Sequence, residues 1–141
     1  MVIKVITSGK RKTSVARAVL TENKNSDLMV LINGRDYRNL SPFDKLKIAE
    51  PVKIAEQIIG ESKLNFIVNI SVIGGGEKGQ IDACRLALAR ALVKVVGSKS
   101  NELEDAYFDY DRSLLVADVR RKETRKPGDS KARAKRQTSY R

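Results

Sequence analysis

The sequence predicts a mixed α/β domain in which helices pack on strands, and three stretches carry that reading. Residues 66–73, FIVNISVI, are apolar and β-branched and alternate with polar Asn69 and Ser71, the pattern of a strand buried on at least one face. After a break at Gly74, Gly75, Gly76 and Gly79, apolar residues recur at three- and four-residue spacing as Ile81, Cys84, Leu88, Leu92 and Val95. That spacing, from Gln80 onward, predicts a core helix. Asp82 in its first turn and Lys94 in its last suit the helix dipole, and Gly97 is placed to end it. Third, Ser41, Pro42 and Asp44 supply a capping serine, a proline at the first helical position and a first-turn carboxylate.

In chain order, residues 2–8 predict a first strand and residues 14–21 a second. The turn between them, Gly9 to Thr13, carries three adjacent cations, Lys10, Arg11 and Lys12. In the second strand Val15, Arg17 and Val19 share one face, and Ala16, Ala18 and Leu20 share the other. Residues 22–27 are a polar turn, and residues 28–33 are a third strand ending at Gly34. Three antiparallel strands are therefore expected to begin the domain. The helix capped by Ser41 is expected to run to about Glu50, and Pro51 to open a second one over 52–59 that stops at Gly60. Beyond Gly97, Glu102, Glu104, Asp105, Asp109 and Asp111 fall on a short helix with Leu103, Ala106, Tyr107 and Tyr110 turned inward. Residues 113–119 form a last short strand or an extended segment lying on the core.

Charge is concentrated at one end. The 141 residues carry 28 Lys and Arg against 17 acids, a net of +11. Residues 120–141 hold ten of those cations against two acids, a net of +8 that leaves only +3 for the rest. A segment so poor in large apolar side chains cannot offset its backbone entropy and is expected to be disordered alone. The domain boundary is therefore drawn between a globular unit, 1–119, and a basic tail, 120–141. Histidine is absent and the single cysteine, Cys84, lies on the apolar helix stripe. That composition argues against serine or cysteine triads and most zinc sites. No apolar run reaches membrane-spanning length and residues 1–10 lack a signal-peptide core, so a cytoplasmic protein is expected.

Gly74, Gly76 and Gly79 spell G-x-G-x-x-G, which raises a nucleotide-binding enzyme as one reading. A dinucleotide fold then needs a second strand after the helix, ending in an acid; Ser98 to Asn101 and the acidic stretch follow instead. A phosphate loop needs Gly-Lys-Ser/Thr at the helix start, and none stands there. The loop is either a tight strand-to-helix turn or a turn whose amides hold the phosphate of a larger polyanion. The paired carboxylates of 102–111 lack a loop glycine and EF-hand spacing, which favours a solvated helix over a metal site. In the tail, Ala132 to Arg136 space charges with small residues and the sequence ends on Tyr140 and Arg141. Guanidinium groups pair with phosphates while an aromatic stacks on a base, so RNA fits better than a membrane surface. A basic DNA-compacting protein is the remaining alternative.

Gly74, Gly75, Gly76, Gly79, Gln80, Ala83, Ala87, Ala89, Arg90, Ala91 and Leu92 together resemble the signature of the small-subunit ribosomal protein family S-nine. Residues 7–17 resemble that family's N-terminal hairpin, and residues 137–141 its archaeal and eukaryotic C-terminus. The resemblance implies a two-layer fold, with helices on one face of a mixed four-stranded sheet and a left-handed βαβ crossover. It implies a structural constituent of the cytoplasmic ribosome, with no enzymatic activity, cofactor, metal, membrane or small-molecule substrate. The implied partners are small-subunit ribosomal RNA, neighbouring ribosomal proteins of the subunit head, and transfer RNA in the peptidyl site. The expected ribosomal-RNA residues are Lys10, Arg11, Lys12 and Arg17, then Gly75, Gly76 and Lys78 in the glycine loop. In the tail they are Arg120, Arg121, Lys122, Arg125, Lys126, Lys131, Arg133, Lys135 and Arg136. Ser139, Tyr140 and Arg141 are expected to touch the transfer RNA anticodon stem-loop.

Overall fold

The computed structural model describes residues 3–23, 28–60 and 64–125. Strands β1 (Ile3–Arg11), β2 (Ser14–Glu22), β3 (Met29–Ile32), β4 (Arg35–Asp36) and β5 (Phe66–Ile73) form one sheet in the order β1-β2-β5-β3-β4. All neighbours are antiparallel except β3 and β5, whose parallel pairing is reached by a crossover through β4 and helix α1 (Pro42–Ile59). Helices α2 (Glu77–Val96) and α3 (Ser100–Tyr110) complete the second layer. Alternation divides the sheet faces as the sequence predicts. Ala16, Ala18, Leu20, Val30, Val68, Ile70 and Val72 are buried under the helices, while Arg17, Asn69 and Ser71 lie exposed on the open face.

The mixed sheet has a fifth strand beyond the four expected. Asn33 and Gly34 both adopt positive φ, 48° and 80°, and fold β4 back so that Ile32 pairs with Arg35 and Leu31 with Asp36. Asn-Gly is a strong hairpin signal, and here it extends the sheet by two residues rather than ending a strand. The two helices expected around Pro51 are one. Pro51 forfeits the bond to the Lys47 carbonyl, but Ile48, Val52 and Ala55 form a continuous buried stripe across it. The Tyr107 hydroxyl donates to the Pro51 carbonyl at 2.7 Å, pinning α3 to α1 there. Tyr110 points outward, unlike Leu103 and Tyr107, and residues 112–120 form a 3-10 turn (Arg112–Leu114) and then a stretch without strand or helix.

Helix α2 is buried almost all round because the sheet lies on one side and α1 and α3 on the other. It begins at Glu77, a turn earlier than its apolar stripe, and ends where Gly97 turns to φ 65°. Its seat is β1. A Cβ on Gly9 would lie 2.2 Å from the Ala83 carbonyl oxygen and 2.7 Å from the Ala87 nitrogen. Beside it, the buried Thr7 hydroxyl donates to the Ala87 carbonyl at 2.7 Å. Backbone rests on backbone, so neither partner can yield by a rotamer change. Gly9→Ala should therefore destabilise the domain by about 3 kcal/mol, read from the urea midpoint at unchanged m-value. A loss below about 1 kcal/mol would mean that α2 does not rest on β1 at this point.

Candidate nucleic-acid interface

Three segments meet at one end of the sheet: the β1–β2 turn, the loop from β5 into α2, and the chain leaving the 3-10 turn. The register places them there, since Arg11 pairs with Ser14 and Val15 with Ile73. A two-residue turn joins β1 to β2, and Lys12 takes φ 53° to make it. A lysine in the left-handed region is uncommon, and such outliers gather at binding sites.

The cations of this end divide into two groups. Arg11 is held: its Nη1 lies 2.7 Å from Asp118 Oδ2, off the hydrogen-bond direction, and its Nε lies 3.8 Å from Asp82. Arg120 grips the same Asp118 through Nε and Nη2 at 2.9 and 2.7 Å, and its backbone N–H donates to Oδ1. These bonds from Arg120, with the nearby Arg11 charge, hold the Asp118 carboxyl far below the usual carboxylate range. Lys78 is also engaged. Its ammonium sits 2.7 and 2.8 Å from the two oxygens of Asp44, which is only 2% exposed and also accepts from Ser41 Oγ at 2.6 Å. The Lys78 bond, then the Ser41 bond, lower the Asp44 pKa against the opposing effect of burial.

Lys10, Lys12, Arg121, Lys122 and Arg125 are exposed and make no ion pair among the described residues. Lys12, Arg121 and Lys122 join Arg11, Thr13 and Arg120 around a cleft of about 730 Å³. A neighbouring hollow of about 370 Å³ lies between Lys12, Thr13 and the glycine loop. Gly76 caps α2 without a side-chain bond, leaving first-turn amides at the edge of that hollow. Gln80 braces the loop, its side chain donating to the Gly74 carbonyl and its backbone to that of Gly76. Ser14, 1% exposed, lies beneath Gly75 with its hydroxyl unpartnered.

The structure thus brings together Lys12, Gly75, Gly76, Arg121 and Lys122, sets Lys10 beside Arg120, and commits Arg11, Lys78 and Arg120 to carboxylates. Arg17 stands apart on the open sheet face, opposite Ser8 and Ser71. Lys126, Lys131, Arg133, Lys135, Arg136, Ser139, Tyr140 and Arg141 lie outside the described residues. Asp118, which anchors the root of the tail, carries no local sequence signal. The acidic stretch has a structural use. Asp111 accepts from Ser113 and from Arg85, while Arg85 also reaches Glu50 at 2.6 Å. Burial acts to raise the Asp111 pKa, but those hydrogen bonds lower it. Burial also pushes the Cys84 thiol up to about 12, away from nucleophile chemistry. After α2 the chain enters α3, so among the described residues no strand follows the glycine loop as a dinucleotide fold requires.

The chain matches the family model described as ribosomal protein S9/S16 over residues 9–141. It is 48% identical over 139 residues to small ribosomal subunit protein uS9 of Thermoplasma volcanium, covering 97% of this chain and 98% of that one. To the protein of the same name from Methanococcus vannielii it is 41% identical over 140 residues, with 97% and 98% covered. The one from Halobacterium salinarum is 43% identical over 136 residues, with 96% and 97% covered.

Two adjacent glycines of the loop differ in what they demand. Gly75 has φ 67°, and a Cβ there would lie 2.0 Å from Ser14 Oγ and 3.0 Å from its nitrogen. Gly76 has φ −102° and open space around a Cβ. Gly75→Ala should cost about 2 kcal/mol or more in urea denaturation, from left-handed strain and the clash. Gly76→Val should cost no more than about 1 kcal/mol, the loss of a glycine cap. Equal losses would show that the loop does not hold this conformation.

Proposed function

The chain belongs to the ribosomal protein S9/S16 family, and from that membership we propose how a structural component of the small ribosomal subunit, working in the cytoplasmic ribosome, holds its RNA. Ribosomal RNA is bound by the end of the sheet where the β1–β2 turn, the glycine loop and the root of the tail converge. Lys10, Lys12, Arg121 and Lys122 pair with backbone phosphates, and the α2 amides beside Gly76 supply a further anion contact. Arg11 and Lys78 serve this surface indirectly, Arg11 by tying the tail's root to the turn through Asp118, and Lys78 by tying α2 to α1 through Asp44. Arg17 faces a different part of the surroundings from the open side of the sheet. The observation that carries the reading is the cleft lined by Arg11, Lys12, Arg120, Arg121 and Lys122, with Asp118 spent on Arg11 and Arg120.

Neutralising Lys10 and Lys12 together should lower the slope of log K against log salt for ribosomal RNA by about 1.8, at roughly 0.9 per contact as for duplex DNA. Arg11→Gln should leave that slope nearly unchanged and lower the melting temperature instead. An Arg11→Gln effect on the slope as large as either lysine's would reverse the division between held and free cations.

The tail extends the reading to transfer RNA. Arg125, Lys126, Lys131, Arg133, Lys135 and Arg136 lie along ribosomal RNA, and Ser139, Tyr140 and Arg141 meet the anticodon stem-loop in the peptidyl site. Arg141 supplies a bidentate, charge-assisted phosphate contact that lysine cannot reproduce. Deleting residues 135–141 should leave thermal stability and incorporation into small subunits unchanged. Transfer RNA should dissociate faster from programmed subunits, by an amount equivalent to roughly 1.5–3 kcal/mol at most, and Arg141→Ala should reproduce much of this. Equal dissociation rates with and without the tail end would limit these residues to ribosomal RNA.

A further inference from the structure

Strand β1 is an edge of the sheet, and its outward backbone groups can be identified. Ile70 and Val72 turn their N–H and C=O groups toward β3, since the Ile70 carbonyl accepts from Asn33 and Val72 exchanges bonds with the Asn33 side chain. Alternation then makes Ser71 and Asn69 the bonded partners of Arg17 and Val19, and Ala16 and Ala18 those of Gly9 and Thr7. Ile6 and Ser8 are left facing outward. The Arg90 guanidinium caps the Ser8 carbonyl at 2.8 Å, which agrees with this assignment. The Ile6 N–H, the Ile6 carbonyl and the Ser8 N–H have no partner among the described residues.

These groups open onto a groove of about 560 Å³ between β1, α2 and α3. Ile6 and Phe108 line it at 62% and 45% exposure, with Val116 beside them. Arg17, Arg90 and Lys94 outnumber Glu104, the one acid among the described residues of the lining, and Arg90 spends its hydrogen bonds on the carbonyls of Ser8 and Leu115. We propose that this groove receives an extended acidic segment of a neighbouring protein, which adds as a strand to β1 at Ile6 and Ser8. Unpaired alternating N–H and C=O groups are complemented by another polypeptide backbone. The apolar side chains along the groove suit an amino-acid side chain and not a phosphate, and the cationic excess selects carboxylates. The inference stands apart from the RNA-binding end, which uses other residues.

The test places p-benzoylphenylalanine at position 108 of the full chain in cells and maps the photo-crosslinked peptide by mass spectrometry. A single protein crosslinked through an acidic segment is expected. Ile6→Pro removes an outward N–H that an edge strand can spare, and it should cut the crosslink at least tenfold. Lys94→Glu, on the exposed rim, should do the same by reversing charge, and decides the matter should the proline variant fail to fold. A crosslink to RNA, no crosslink, or a yield unchanged by the folded variants would overturn the proposal. The share of protein sedimenting with small subunits, measured on the same samples, reports separately on the ribosomal reading.

Discussion

Helix α2 can lie on β1 only because Gly9 has no side chain, and much of the cationic end of the sheet follows from that contact. The Ala83 carbonyl and the Ala87 nitrogen occupy the space that any Cβ would need, and Thr7 completes the seat by bonding Ala87. Fixing the middle of α2 fixes both its ends relative to the sheet. Its N-terminus falls beside the β1–β2 turn, so first-turn amides and Lys12 border the same hollow. Farther along, Arg90 reaches the carbonyls of Ser8 and Leu115 and draws residues 115–118 toward the edge of β1. Asp118 then meets Arg11, and the tail leaves from the turn where the other cations wait.

The net charge overstates the number of cations available to a polyanion. Arg11, Lys47, Lys78, Arg85 and Arg120 are all in ion pairs with Asp118, Asp82, Asp44, Glu50 or Asp111. Most of these pairs are partly solvated and individually contribute little. Their common effect is geometric: apart from Arg120 with Asp118, each joins segments that are distant in sequence, α1 to α2, α2 to the 3-10 turn, β1 to the root of the tail. At the sheet end, Lys10, Lys12, Arg121 and Lys122 are without such duties among the described residues. A charge count treats both groups alike; the fold separates them.

Strand β5 was legible to the residue, because alternation and a glycine break delimit it, and so were Ser41, Gly60 and Gly97 as helix boundaries. Pro51 misled because local propensity favours a break, whereas burial of Ile48, Val52 and Ala55 on either side favours continuity. The apolar stripe of α2 described one face of a helix enclosed on several, which depends on α1 and α3 wrapping it. At the site, the turn and the glycine loop were legible as cationic and glycine-rich. The commitment of Arg11 and Lys78 was not, since their carboxylates come from residues far along the chain. Asn33-Gly34 was a readable hairpin signal whose second strand, two residues long, is too short to show periodicity.

Ordering a lysine side chain or a residue of backbone on binding costs on the order of 1–2 kcal/mol each. The sheet end meets part of that cost during folding. The backbone of Lys12 is already held at φ 53° between two strands, so its position is settled by the fold itself. Asp118 does the same for the root of the tail, fixing Arg120 by three side-chain contacts and one from the backbone. Arg121 and Lys122 therefore start from a defined point beside Lys12 instead of from the end of a free chain. A carboxylate inside a cationic cleft would ordinarily oppose a polyanion. Here its charge is matched by two guanidinium groups, and what remains is an anchor that directs the following residues toward Lys12 and the β1–β2 turn.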